Sequence, residues 1–165
     1  MYNRIVMNER KLKVYLDTSV VSHLWQIDAP EKMQETLALW EEFKKDKFDI
    51  YLSQVTIEEV NECTEEKKQK LSKYLNEIKF TNLSLSDESI SIGRQIIDLG
   101  ILKEKNRDDA NHIGVAVANG MDYVISWNFK HMINIKTVNG VRAITNLRNY
   151  KPIDLVTPTY FLGEE

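Results

Sequence analysis

Four polar residues lie where a predicted strand ends or a predicted helix begins. They are Asp17, Glu59, Asp109 and Asn128. Because ligands of open parallel sheets bind outside the carboxyl ends of the strands, we expect these side chains to lie together at one edge. Oxygen ligands suit a hard cation such as Mg²⁺ or Mn²⁺, whereas zinc prefers Cys and His. The single cysteine, Cys63, belongs to no zinc-binding pattern, so the sequence favours a hard-metal site.

Three carboxylates brought together point to phosphodiester chemistry. Without a cation they would repel one another and any phosphate, whereas a divalent cation attracts the phosphate and lowers the pKa of a water for in-line attack. We therefore expect Asp17, Glu59 and Asp109 to hold Mg²⁺ or Mn²⁺ and to support in-line attack of water on a bound phosphate. Thr18 and Ser19, directly after the first acid, are candidates for orienting the water or a phosphate oxygen.

Each of these residues also has a structural explanation when it is considered alone. Asp17 is a suitable N-cap for the next helix, and Thr56 with Glu59 fits a capping box. Asp109 in the first turn of a helix would complement the helix dipole, and Asn128 is a common turn residue. Only the joint spacing of the four residues favours a site.

Strands and helices alternate along the chain. The hydrophobic pattern predicts strands over 11–17, 48–53, 80–85, 123–126 and 153–156. Capping and stop signals predict helices over 18–25, 30–45, 86–99, 107–119 and 138–147, and a helix beginning at residue 56 that continues as a charged arm over 64–78. This order predicts an α/β fold, with a parallel sheet covered by helices on both faces.

The length and charge of the chain restrict its domain number and its possible functions further. A chain of 165 residues predicts a single domain over 1–165, with its core at about 12–158. The net charge of −3 argues against a uniformly basic nucleic-acid binder, but residues 101–151 carry 8 bases and 4 acids, which leaves room for a local basic face. Apolar runs are far shorter than the roughly 20 residues of a membrane span, and the lone cysteine suits a reducing cytoplasm.

Three segments resemble the PIN-domain ribonucleases, particularly the VapC-like toxins of type II toxin–antitoxin pairs. The segments are VYLDTSV at 14–20, LSQVTIEEV at 52–60 and RDDANHIGVAVANGMDYVISWNFKH at 107–131. The tail over 150–158 resembles the end of one PIN subgroup, so the resemblance covers about residues 12–158. The block after residue 107 is the most specific of these motifs.

The resemblance implies a PIN-like three-layer α/β fold with a central, mostly parallel sheet. It matches Asp17, Glu59 and Asp109 to the family's acids and places Asn128 where many members carry a fourth Asp. The implied activity is Mg²⁺- or Mn²⁺-dependent endoribonuclease cleavage that leaves a 5′-phosphate. The implied setting is a cytoplasmic homodimer that is paired with a small antitoxin protein.

Further polar residues near the motifs are candidates for positioning substrate or water. They are His112, His131, Arg107 and Lys130. A hydrogen-bonded core histidine is an equal alternative for His112. Because Asn128 brings no charge, a catalytically weak or inactive PIN-like module that binds RNA or protein is the alternative function. A phosphatase of another α/β fold is disfavoured, because no Asp-x-Asp motif follows the first strand.

Overall fold

A central sheet of five strands organises the protein, in a computed structural model that describes residues 10–163. The strands are β1 (Leu12–Leu16), β2 (Phe48–Ser53), β3 (Thr81–Leu83), β4 (Tyr123–Ile125) and β5 (Asp154–Val156). Their order in the sheet is β3-β2-β1-β4-β5, and every described pairing is parallel. The central strand β1 places Val14 between Ile50 of β2 and Tyr123 of β4. The predicted α/β class and parallel sheet are therefore confirmed.

Seven α-helices connect and cover the strands in the described part of the chain. They are α1 (Thr18–Ser22), α2 (Pro30–Lys44), α3 (Gln54–Asn61), α4 (Glu65–Leu75), α5 (Asp87–Asp98), α6 (Arg107–Ala118) and α7 (Ile135–Arg148). Short 3₁₀ turns lie at His23–Trp25, Glu104–Asn106 and Pro158–Phe161. Gly100 and Gly120, with φ of 72° and 66°, follow α5 and α6 in the left-handed conformation that glycine adopts easily. No helix within residues 10–163 is long and apolar enough to cross a membrane.

The side chains of the central strand alternate between two hydrophobic layers. Val14 and Leu16 of β1 are buried against α1 to α4, whereas Tyr15 is buried on the opposite face against α5 to α7. This alternation follows from the two-residue period of a strand. The result is the predicted three-layer arrangement.

Two helix starts differ from the sequence prediction. Helix α3 begins at Gln54, because the Ser53 hydroxyl accepts a hydrogen bond from the Val55 N–H at 3.2 Å and caps the helix. The capping box predicted from Thr56 is therefore wrong. Helix α7 begins at Ile135, three residues early, because the Asn134 side chain caps it.

Close packing of α6 against α5 fixes the position of α6 relative to the sheet. A Cβ atom added at Gly114 of α6 would lie 2.2 Å from the backbone oxygen of Ser89 in α5. Only glycine permits this approach of two helix backbones. Because α6 also carries Asp109 and His112, this contact helps to hold both residues in place beside the sheet.

Candidate active site

The carboxyl ends of β1, β2 and β4 meet at one edge of the sheet, and the predicted residues collect there. Asp17 follows β1, while Glu59 lies on α3, which starts directly after β2. Asp109 lies in the first turn of α6, and Asn128 lies two residues beyond Ser126 at the end of β4. We call Asp17, Glu59 and Asp109 the acidic cluster.

Asp17 is a buried acid whose hydrogen bonds come from neutral groups. Its side chain is 2% exposed, accepts hydrogen bonds from the hydroxyls of Ser19 and Ser126, and caps α1 through the Val20 N–H at 3.3 Å. Burial raises the pKa of Asp17, although the nearby His112 imidazole and the two hydroxyls oppose this rise. The capping role considered for Asp17 is therefore real, but it leaves a buried charge without a cationic partner in residues 10–163.

Two serines connect Asp17 to the segment that follows β4. The Ser19 hydroxyl donates to Asp17 at 2.6 Å and accepts from the Trp127 N–H at 2.9 Å. The Ser126 hydroxyl donates to the other Asp17 oxygen and accepts from the Asn128 N–H at 2.9 Å. These bonds fix the orientation of the Asp17 carboxylate.

Asn128 lies against Asp109, and its hydrogen bonds define the orientation of its amide. Its Oδ1 accepts from the His131 N–H at 2.9 Å, and its Nδ2 lies 3.4 Å from Asp109 Oδ2. The reverse amide orientation would place two donors together and two acceptors together. The carbonyl oxygen of Asn128 thus accepts from the His131 backbone, and the residue presents N–H groups to the cluster.

Asp109 lies close enough to the other acids to be affected by their charges. Burial raises its pKa, the His112 imidazole opposes the rise, and the charges of Asp17 and Glu59 add to it. Mutual repulsion of this kind is expected where carboxylates converge without a bound cation.

Glu59 is half-buried and is held by His112. The Nε2 atom of His112 lies 3.3 Å from Glu59 Oε1 and 3.1 Å from the Thr18 hydroxyl. Burial would raise the pKa of Glu59, but the hydrogen bond and charge of His112 outweigh burial and hold the pKa below its usual value. Since an ionised carboxylate only accepts hydrogen bonds, His112 donates from Nε2.

A chain of hydrogen bonds continues from His112 into the sheet. Its Nδ1 lies 2.6 Å from the hydroxyl of Tyr15, which lies 2.7 Å from the Ser53 hydroxyl. Burial raises the pKa of Tyr15, so the phenol stays protonated. Because His112 is 2% exposed and both ring nitrogens have protein partners, its geometry suits holding Glu59 more than contacting a substrate.

The predicted basic residues lie in two different places. Arg107 forms an ion pair with Glu104 and lines a cavity between α5 and α6. Lys130 and His131 lie in the segment after β4 and line a separate cleft. The side chains of Lys130 and Arg107 are exposed, and His131 is partly buried.

The acidic cluster fits a hard cation by the type of its donors. Within residues 10–163, no three His, Cys, Asp or Glu side chains form a ready set of metal ligands. Mg²⁺ commonly binds through one or two carboxylates, keeps several waters and takes further oxygens from a substrate phosphate. Asp17, which is buried, and Asp109, which is partly buried, are acids with raised pKa values and meet that requirement.

The sequence prediction missed three residues that organise this site. Tyr15 and Ser53 support His112, and Ser126 orients Asp17. The one available signal was Ser126, a small polar residue that ends the apolar run of β4 directly before Trp127 and Asn128.

Comparison with known proteins supports the fold. No family model matches the sequence, and no curated protein matches it. The chain resembles a chain in the crystal structure of VapBC2 from Rickettsia felis bound to a DNA fragment from their promoter. The match covers 88% of this chain and 98% of that chain with a TM-score of 0.55 and 13% sequence identity. This likeness confirms the predicted VapC-like PIN fold and concerns the fold alone.

Proposed function

We propose that the protein is a metal-dependent endoribonuclease that hydrolyses RNA phosphodiester bonds. The observation that supports this function is the convergence of Asp17 and Asp109 at the carboxyl edge of a VapC-like PIN fold, with no lysine or arginine paired to either in residues 10–163. Uncompensated acids at the strand ends are the arrangement expected of a site that takes its cation from solution.

Asp17 and Asp109 would hold Mg²⁺ or Mn²⁺, with Glu59 beside them at the same edge of the sheet. When bound, such a cation neutralises the acids, attracts a phosphate and polarises water. Ser19 and Ser126 keep the Asp17 carboxylate oriented before a substrate arrives, and His112 does the same for Glu59. Pre-oriented groups of this kind reduce the reorganisation needed during the reaction.

The reaction proposed for this site adds water to phosphorus and breaks the bond to the 3′ oxygen, so that one product carries a 5′-phosphate. Glu59 is suited to orient the water, because it is ionised and its side chain is 35% exposed. The Thr18 hydroxyl lies beside it, 3.1 Å from His112 Nε2. No covalent intermediate with the protein is required.

Cleavage of a labelled RNA by the purified chain tests this function. We expect cleavage with Mn²⁺, none with excess chelator, and none from Asp109→Asn purified in parallel, which controls for a contaminating nuclease. Equal cleavage by Asp109→Asn and wild type, or no cleavage of any of several structured RNAs by wild type, would overturn the proposal.

A binding module that does not cut is the second candidate, and Asn128 favours it. The side chain has no charge, its carbonyl oxygen accepts from the His131 N–H, and its Nδ2 lies toward Asp109. RNA bound without cleavage in Mn²⁺ is the result that would favour this alternative.

The biological role proposed for the protein is the toxin of a type II toxin–antitoxin pair in the cytoplasm. The likeness to a VapBC2 chain supports this role at the level of the fold. We expect the chain to form a homodimer and to copurify with a small DNA-binding antitoxin encoded directly upstream. A neighbouring gene of another kind, with no copurifying partner, would argue against this role.

A further inference from the structure

A cleft beside the acidic cluster carries an excess of positive charge. It has a volume of about 280 Å³ and lies between the segment joining α5 to α6, the segment after β4 and the start of α7. Four lysines and no acid line it, and we call it the basic cleft: Lys103, Lys105, Lys130 and Lys136.

The four lysines of the basic cleft have no anionic partner in the described residues. All four side chains are exposed, and none forms an ion pair within residues 10–163. Glu104 lies between two of them in sequence, but Arg107 is its ion-pair partner. At the end of α2, by contrast, Lys44 and its neighbour Lys45 each bind a glutamate three residues earlier. The charge of the basic cleft therefore remains available to an external anion.

His131 connects the basic cleft to the acidic cluster. It lines the cleft, and its backbone N–H donates to the side chain of Asn128, which in turn lies 3.4 Å from Asp109. Its ring Nε2 lies 3.3 Å from the side chain of Asn106, in the segment before α6. The cleft thus begins at the residues that border the acids, where a polyanion would otherwise be repelled.

We propose that the basic cleft binds the phosphodiester backbone of a single-stranded RNA next to the bond that is cut. This inference rests on the proposed function and adds the location of the substrate. Lysine is a flexible point charge without the planar fork of arginine, so these contacts position the strand and carry no base specificity. All four lysines belong to residues 101–151, the segment in which bases exceed acids.

Binding measured without cleavage tests the basic cleft. The probe is a short labelled single-stranded RNA, and its anisotropy is followed in excess chelator at several KCl concentrations. The test variants are Lys103→Gln/Lys105→Gln and Lys130→Gln/Lys136→Gln. The matched control is Lys70→Gln/Lys73→Gln, which removes two exposed lysines from α4.

Each test variant should bind the RNA about 25-fold more weakly at about 0.1 M KCl, since each lost phosphate contact lowers the salt slope by about 0.7. The slope should fall by about 1.4 in each test variant and stay at the wild-type value in the control. All three variants should melt at the wild-type temperature, because the replaced side chains are exposed.

Two outcomes would overturn the inference: wild-type affinity and slope in both test variants, or the same loss in the control. Failure of the proposed function gives a different result, in which wild type binds RNA through the cleft but does not cut it when Mn²⁺ is supplied. The binding data then still support the basic cleft.

Discussion

Two acids at opposite ends of neighbouring strands, one partly buried and one buried, have different environments. Asp122 directly precedes β4 at the amino edge of the sheet, and Asp17 directly follows β1 at the carboxyl edge. Asp122 accepts hydrogen bonds from the Lys13 N–H at 2.8 Å, from Arg10 at 2.9 Å and from Lys151. Asp17 has hydroxyl and backbone donors alone among the described residues.

The pKa values of the two acids move in opposite directions. Burial acts to raise both, but at Asp122 the bonds from Lys151, the Lys13 N–H and Arg10 outweigh it and hold the pKa below its usual value. At Asp17 burial prevails over the hydroxyl bonds, so the pKa is raised. Hydroxyl dipoles do not replace a cation for a carboxylate taken out of water.

This difference distinguishes a structural acid, Asp122, from Asp17, which we propose to be functional. The amino-edge acid has its cations within the fold and joins three parts of the chain. The acids of the carboxyl edge, Asp17 and Asp109, keep charges that the fold does not neutralise. Carrying such charges costs stability, and this is the reason for our proposal that a cation from solution binds at this edge.

Replacement of the acid at the carboxyl edge should reduce RNA cleavage, whereas replacement of the acid at the amino edge should leave it unchanged. Asp17→Asn removes a ligand charge worth several kcal/mol in the transition state, so RNA cleavage with Mn²⁺ should fall by at least about 100-fold. Asp122→Asn should cleave at the wild-type rate when assayed well below its melting temperature. Comparable cleavage by Asp17→Asn and wild type would contradict the functional role proposed for the acid at the carboxyl edge.

The free energy of unfolding, in contrast, should depend on Asp122 more than on Asp17. Asp122→Asn weakens hydrogen bonds to Lys13, Arg10 and Lys151, and should lower the free energy of unfolding by about 1–2 kcal/mol. In a domain of this size, the melting temperature measured by circular dichroism should fall by about 2–8 °C. If Asp122→Asn melted at the same temperature as wild type, the hydrogen bonds from Arg10 and Lys151 would contribute nothing to folding stability.

The stability gap between wild type and Asp122→Asn should depend on pH. Because the pKa of Asp122 is lower in the folded chain than in the unfolded chain, its contribution is complete above the unfolded value and is lost as the pH falls through the folded value. Melting curves should therefore keep a constant gap near neutral pH and converge below about pH 4. A difference in melting temperature that increases as the pH falls would contradict a lowered pKa of Asp122 in the folded chain.

The smallest effect is expected at Asn128. Asn128→Asp keeps an oxygen for the His131 N–H but places a second carboxylate close to Asp109. Without a cation, repulsion of about 1 kcal/mol should lower the melting temperature by about 2–4 °C. Added Mn²⁺ should raise the melting temperature of this variant more than that of wild type. An equal Mn²⁺ response in both proteins would place residue 128 outside the influence of the cation.

The sequence was informative where local signals determine structure. The first strand was predicted to end at Asp17 and ends one residue earlier, at Leu16, while the predicted stops of α5 and α6 at Gly100 and Gly120 are confirmed. The capping box at Thr56 was wrong because Ser53 offers the same chemistry three residues earlier.

The partners of the site depend on contacts that no local pattern contains. Tyr15 lies 97 residues from His112, and Ser126 lies 109 residues from Asp17. Ser126 meets Asp17 because β1 and β4 are neighbours in the sheet, and Tyr15 meets His112 because α6 packs on the face of the sheet that carries Tyr15. The basic cleft likewise combines lysines from three segments, so its charge was visible in the sequence while its location was not.

Titration of Mn²⁺ into the purified protein by calorimetry tests the distinction between the two edges most directly. Wild type and Asp122→Asn should bind Mn²⁺ with the same saturable heat. Asp17→Asn should bind it at least about tenfold more weakly, because it lacks one of the uncompensated charges. Equal Mn²⁺ affinity in wild type and Asp17→Asn, or no saturable binding to wild type, would contradict the account.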